Sequence, residues 1–277
     1  MSESWFIVGC GYTGTRLARA LVGQSADVTI TRRDAGAASG LAEQLGARGL
    51  RVDLADPNTL RGAVAPGSIV VVLAPPGPDP AGEIAGLIDA VPDAKRFVYV
   101  SSTGVYGPGG GAWVDESWPL APATASGAAR VAAEQALAAS SAPWIALRAA
   151  GIYGPKRGLA DRIAAGTYRV VGDGTAHVSR IHVADLVAAI IRAGTASLDG
   201  AVNIADDDPA PIGEVADAVA AHLGVPPPPR VPADSVSPEV AGMLTADRRI
   251  ANARMKQELG VALRYPSWRA ALSDGAV

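Results

Sequence analysis

Three glycines near the amino end, a serine closing an apolar strand, and two tyrosines in Tyr-Gly turns are the residues here whose types and spacing suit chemistry. The run Trp5-Phe6-Ile7-Val8 is apolar, and Gly9-Cys10-Gly11-Tyr12-Thr13-Gly14 follows it as GxGxxG. Between a strand and a helix, such a loop uses Gly9 for a tight turn and Gly11 to admit a pyrophosphate to the backbone. Gly14 then lets helix and strand pack closely. The helix N-terminus presents N–H groups and a positive dipole end to the phosphates. Residues 9 to 14 therefore read as a dinucleotide cradle.

The element that must position the other end of such a ligand is the second strand, which ends Thr31-Arg32-Arg33 with no acid at its tip. A carboxylate there would bond a ribose 2′-hydroxyl, whereas two guanidinium groups attract and bond a 2′-phosphate. Arg32 and Arg33 thus point to NADP, with NAD possible. Asp34 reads as a helix-start residue that faces away.

Apolar runs alternate with helical patterns through the first half of the chain. Strands are expected at 5–8, 27–31, 68–73, 96–100 and 144–147, and helices near 15–22, 40–45, 58–64, 83–91 and 124–139. Alternation of this kind implies an α/β, Rossmann-type doubly wound parallel sheet, with ligands beyond the carboxyl ends of its strands. After residue 155 the pattern loosens into a smaller C-terminal lobe. Helices are expected there at 159–165, 183–193, 212–223 and 252–259, with a short strand near 201–204. The division is 1–155 for the dinucleotide domain and 156–277 for the lobe, with about 178–205 returning to the sheet. Pro226 to Pro229 form an extended connector.

Composition narrows the function classes. Of 277 residues, 49% are apolar but only two are Phe, so Ala, Val and Leu fill the core. A net charge of −3 without a basic run argues against a nucleic-acid surface. One cysteine excludes an intramolecular disulfide, and three scattered histidines make no metal motif. No stretch reaches the length of a membrane span and residues 1–5 lack a basic signal region, so the cytoplasm is the expected compartment.

Further motifs are FVYVSSTGVYG from Phe97, RAAGIYGP from Arg148, RIHVADL from Arg180, NIADDDP from Asn203 and RRIANARMKQELG from Arg248. With the glycine loop, this series resembles the extended short-chain dehydrogenase/reductase superfamily of sugar-nucleotide epimerases and dehydratases, over nearly the whole chain. The resemblance implies a small-molecule substrate and places Asp53 and Leu54 at the adenine. It also places Ala74, Pro75 and Pro76 at the adenosine ribose and Ser101 beside the cofactor. Ser102 matches the family's Ser/Thr that bonds the substrate oxygen. His182, in the IHV element, reads as a buried ring satisfied by backbone.

The departures bear on chemistry. Family members carry YxxxK followed four residues later by Glu, and here that register holds Ser126, Arg130 and Glu134. A lysine-assisted phenol transfers protons near neutral pH. A serine hydroxyl is too weak an acid, and nothing in the sequence places a base beside it. Arg130 keeps its proton but can bond a ribose. Tyr106 and Tyr153, in turns at the same sheet edge, are the substitute donors, and Tyr168 and His177 are further options. The segment between Leu73 and Phe97 is shorter than the family's, so monomer and homodimer both stay open. The reading is an NADP-binding oxidoreductase of a small or sugar-like carbonyl or alcohol. The alternatives are a catalytically silent NADP-binding sensor or interaction partner, and an epimerase or dehydratase with held cofactor.

Overall fold

The computed structural model describes residues 3–277. Seven strands, β1 (Ser4–Val8), β2 (Asp27–Arg32), β3 (Arg48–Arg51), β4 (Ile69–Val72), β5 (Arg96–Ser102), β6 (Trp144–Ala149) and β7 (Gly200–Ile204), form a parallel Rossmann-type sheet. Their order is β7-β6-β5-β4-β1-β2-β3. The chain builds outward from β1 in one direction, then crosses to β4 on its other side. That reversal lies between β1 and β4, which pair from Trp5↔Ile69 to Val8↔Val72. It is the position at which open sheets of this kind bind ligands.

The chain divides into two compact units. The first comprises Met1–Ser101, Ala129–Leu147 and Val187–Ala201, and the second comprises Ser102–Ala128, Arg148–Leu186 and Val202–Val277. The chain passes from one unit to the other after Ser101, Ala128, Leu147, Leu186 and Ala201.

In the first unit, all four residues of β4 are buried, as expected of a strand covered on both faces. Phe6, Val8, Val70, Val72, Phe97 and Tyr99 point to one layer, where they meet Leu60, Ile84, Leu87 and Leu137. The helices of this part are α1 (Tyr12–Gly23), α2 (Ala35–Leu45), α3 (Pro80–Ala90) and α4 (Ala125–Ala138). The helix expected at 58–64 is only a 3₁₀ turn, Pro57–Leu60. Gly62 follows at φ +69°, which ends any helical continuation.

The second unit has its own core, in which Tyr153, Ile163, Tyr168, Val170, Ile212, Val215 and Trp268 pack together. A short parallel pair, Gly151–Tyr153 with Arg180–His182, places Tyr153 opposite His182 and Gly151 opposite Arg180. Helix α5 covers Ala160–Ala164 and α7 Ile212–Leu223, while α6, Val183–Thr195, is divided between the units after Leu186. Helices α8 (Pro238–Leu244), α9 (Ala253–Gln257) and α10 (Trp268–Ser273) complete it. Sequence patterning missed α8 and α10, although both carry serine caps: Ser237 accepts from the Val240 N–H and Ser267 from the Ala270 N–H. Ser237 followed by Pro238 at the first helical position is a readable start signal.

Candidate cofactor site and its neighbours

The glycine loop lies between β1 and α1, and each glycine has a distinct job. Gly9 adopts φ +84°, and a Cβ there would lie 2.6 Å from the Ala74 nitrogen, so the turn and the approach of β4 both exclude a side chain. Gly14 packs tightly, with a Cβ placed 3.2 Å from Leu73 Cδ1 and 3.3 Å from Cys10 Sγ. A Cβ on Gly11, by contrast, would meet nothing within 4 Å. Packing therefore does not explain Gly11. Gly11 also precedes α1 without a side-chain cap, so the first turn of the helix is left to serve an anion.

Strand β2 fastens this loop. The Gly9 N–H donates to Thr31 Oγ1 at 3.2 Å and the Cys10 N–H to the Thr31 carbonyl at 2.9 Å. Arg32 Nε donates to the Cys10 carbonyl at 2.9 Å, which holds its guanidinium beside the loop. Asp34 caps α2, accepting from the Ala37 N–H at 2.7 Å, so its carboxylate is committed to the helix. Arg33 is exposed. Cys10 is buried, and burial pushes its thiol up from the ordinary range. After β3, Asp53 forms a local turn, with Oδ1 accepting from the Ala55 N–H at 3.2 Å, and Leu54 packs against the core. Ala74 donates its N–H to the Val8 carbonyl at 3.1 Å, which sets Ala74 against the loop, with Pro75 exposed and Pro76 half-buried.

Ser101 donates from Oγ to Glu134 Oε1 at 2.6 Å in a buried bond. That bond turns the Ser101 hydroxyl toward α4 and leaves any cofactor contact to its backbone. It also gives Glu134 a partner that neither residue advertised in the sequence. Arg130, on the same helix, is half-buried, and its Nε has no hydrogen-bond partner.

In the second unit, Ser102 Oγ accepts from the Gly104 N–H at 3.0 Å and caps the short turn after β5. Gly127 lets the start of α4 approach that turn, since a Cβ there would collide with the Gly104 carbonyl. Ser126 is exposed, and its hydroxyl donates to the Glu239 carboxylate. The expectation that no base lies beside Ser126 is thereby corrected: Glu239, on α8, is distant in sequence. Glu239 also accepts from the Ala125 N–H at 3.1 Å and the Ser126 N–H at 3.4 Å, so it caps α4. The Ser126 hydroxyl and these N–H groups hold the Glu239 carboxyl below its usual range, which makes it a poor base.

The substitute tyrosines lie in unlike surroundings. Tyr106 is fully buried; its hydroxyl donates to Asn203 Oδ1 at 2.7 Å and accepts from Arg148 Nη1 at 2.9 Å. Asn203 in turn donates to the Val114 and Ala251 carbonyls at 3.2 Å each. Tyr153 is buried with no partner for its hydroxyl, and burial, then the carboxylates of Asp206 and Asp185, drive its phenol far above the ordinary value. Tyr168 is likewise buried and unpartnered at its hydroxyl, with its phenol raised by burial. His177 pairs Nδ1 with Asp247 Oδ1 at 2.9 Å, while Arg249 Nη2 donates to Nε2 at 3.0 Å, so Nδ1 carries the proton. His182 is buried, with Nδ1 accepting from the Ala184 N–H at 3.2 Å and Nε2 at 3.1 Å from the Ala276 carbonyl. Among the described residues no His, Cys, Asp or Glu group suits a metal ion, and no helix is long and apolar enough to cross a membrane.

A glycine cradle at the strand-order reversal of a parallel sheet defines a dinucleotide-binding protein. A family model described as NAD(P)H-binding matches residues 9–193, and the chain belongs to that family. It shares its fold with solved epimerase-family structures that are 17–19% identical. A functionally unknown conserved protein from Silicibacter pomeroyi DSS superposes with a TM-score of 0.84 at 31% identity, over 99% of each chain. The human epimerase family protein SDR39U1, solved with NADPH, superposes with a TM-score of 0.80 at 19% identity, over 98% of each chain. A 3-diazoavenalumate denitrifying reductase from a Streptomyces species is 33% identical over 195 residues, 64% of this chain. The match spans 63% of that reductase's length.

Proposed function

We propose that this protein is an NADP(H)-dependent oxidoreductase of atypical extended short-chain type, acting on a small or sugar-like carbonyl or alcohol. The observation that carries the cofactor choice is the Arg32 guanidinium tied to the Cys10 carbonyl, while Asp34 is committed to capping α2. A cation would then face a 2′-phosphate at the adenosine end, without competition from the Asp34 carboxylate. Gly9 to Gly14 would hold the pyrophosphate, Arg32 and Arg33 the 2′-phosphate, and Asp53, Leu54 and Ala74 to Pro76 the adenosine. The bound nicotinamide supplies or accepts the hydride. Similarity to a reductase supports the redox reading.

A second reading, a catalytically silent NADP-binding protein, is favoured by the proton side of the reaction. Ser126 and Glu239 serve the cap of α4, and the Tyr106 hydroxyl is saturated in a buried network. Tyr153 keeps its proton at neutral pH, far from the poise that general acid catalysis requires. Isothermal titration separates the cofactor claim from the turnover claim. NADPH should bind more tightly than NADH, and the Arg32→Ala, Arg33→Ala double variant should lose about 1.5–3 kcal/mol toward NADPH. Equal wild-type affinities would refute the 2′-phosphate clamp. NADPH binding without consumption across a broad carbonyl and sugar-nucleotide panel would favour the silent reading.

A further inference from the structure

The second unit contains a cavity of about 330 Å³, a volume that includes its open mouth, with Tyr153, Leu159, Val215, Val219, Trp268 and Arg180 among its walls. Arg180 is only 8% exposed, yet its guanidinium makes a single long bond, from Nη1 to the Val178 carbonyl at 3.4 Å. Five N–H donors in a buried fork normally find acceptors, because leaving them unmatched forfeits the hydration they had in the unfolded chain. Arg180 therefore brings to the wall a guanidinium that lacks an acceptor.

Asp206 is the carboxylate that acts most strongly on Arg180, ahead of Asp208. Its N–H is held by the Arg180 carbonyl at 2.7 Å, but its side chain bonds the Asp208 N–H instead, and Oδ2 stays unpartnered. Burial raises the Asp206 carboxyl to about 8, so near neutral pH it is mostly protonated and leaves the Arg180 charge uncompensated. Of the other walls, Leu159, Val215 and Val219 are apolar, and Arg157 adds a second guanidinium.

We propose that this cavity binds a small amphipathic carboxylate, its anionic head on Arg180 and its apolar body against Leu159, Val215 and Val219. A guanidinium fork reads a carboxylate bidentately, and the apolar walls select against a bare inorganic anion. The site stands independently of the cofactor reading, since every residue in it belongs to the second unit.

The test uses the full chain and three probes: cinnamate, its neutral isostere cinnamamide, and inorganic phosphate. Cinnamate should bind with a Kd on the order of 1 mM or below and raise the melting temperature. Cinnamamide and phosphate should bind at least about tenfold more weakly. Arg180→Gln should abolish the preference for acid over amide. Should that variant fail to fold, Ala160→Trp, which adds bulk at another wall residue, should lose cinnamate while titrating with NADPH like the wild type. A bound acid consumed with NADPH is a substrate, and one that is not consumed is an effector; either result supports the site. Equal affinity for acid and amide, tighter binding of phosphate, undiminished binding in Ala160→Trp, or no cinnamate binding at about 10 mM would each overturn it. The parallel NADPH titration keeps failure of this site distinct from failure of the cofactor reading.

Discussion

Alanine at Gly9 and at Gly11 should separate folding from ligand binding within one six-residue loop. At Gly9 the backbone sits at φ +84°, and a Cβ would lie 2.6, 2.7 and 2.9 Å from the N, Cα and Cβ of Ala74. A left-handed residue other than glycine costs about 1–2 kcal/mol, and forcing extra volume into a packed site costs about 1–3 kcal/mol. The obstacle is mostly backbone of the segment leaving β4, so it cannot rotate away. Gly9→Ala should therefore destabilise the protein by about 2–5 kcal/mol, lowering the melting temperature by about 2–4 °C for each kcal/mol. At Gly11 the same methyl meets nothing within 4 Å at φ −101°. Gly11→Ala should leave stability within about 0.5 kcal/mol yet weaken NADPH binding by about tenfold or more, because the methyl occupies the pyrophosphate's path. Thermal melts and calorimetric titration on both variants provide the assay. If Gly11→Ala bound NADPH like the wild type, the open space at Gly11 would not be the cradle. If Gly9→Ala melted like the wild type, the close approach to Ala74 would be wrong.

Other residues make equally direct tests. Ser126→Ala should leave any turnover within about tenfold, since a true general acid contributes a factor of about 10²–10⁴; a larger loss with unchanged NADPH affinity would make Ser126 and Glu239 a catalytic pair. Tyr106→Phe strands Arg148 and Asn203 in a buried network, so it should cost about 1–3 kcal/mol of stability in denaturant melts, and a neutral result would free Tyr106 for chemistry. Asp206 holds its proton up to about 8 when folded, against 3.8 ordinarily. Between those values the folded chain binds a proton that the unfolded chain has lost, so stability falls as pH rises, by up to about 1.4 kcal/mol per pH unit. Asp206→Asn should therefore gain stability relative to the wild type on moving from pH 5 to pH 8. The same difference at both pH values would refute the buried protonated carboxyl.

The glycine loop, the alternation of strands and helices, and the motif series were legible because they are local. A GxGxxG run after an apolar strand needs only near neighbours to specify a tight turn and a helix start, and α7 appears over the residues its apolar periodicity marked. Asp34 as a helix cap was equally local, three residues from the N–H it accepts. Serine caps for α8 and α10 were also present in the sequence but carried too little apolar periodicity around them to stand out. What the sequence could not determine were the pairings made across long separations. Glu239 reaches the start of α4 over 113 residues, Asn203 reaches Tyr106 over 97, and Glu134 reaches Ser101 over 33. A side chain's partner, and so its proton affinity and freedom to react, follows from which surfaces are buried together within a unit. Tyr106 and Tyr153 read alike as Tyr-Gly turns, but the tertiary structure saturates one hydroxyl and leaves the other without a partner in a cavity wall. Burial decides that difference, because a polar group removed from water must take whatever partner the packing brings to it.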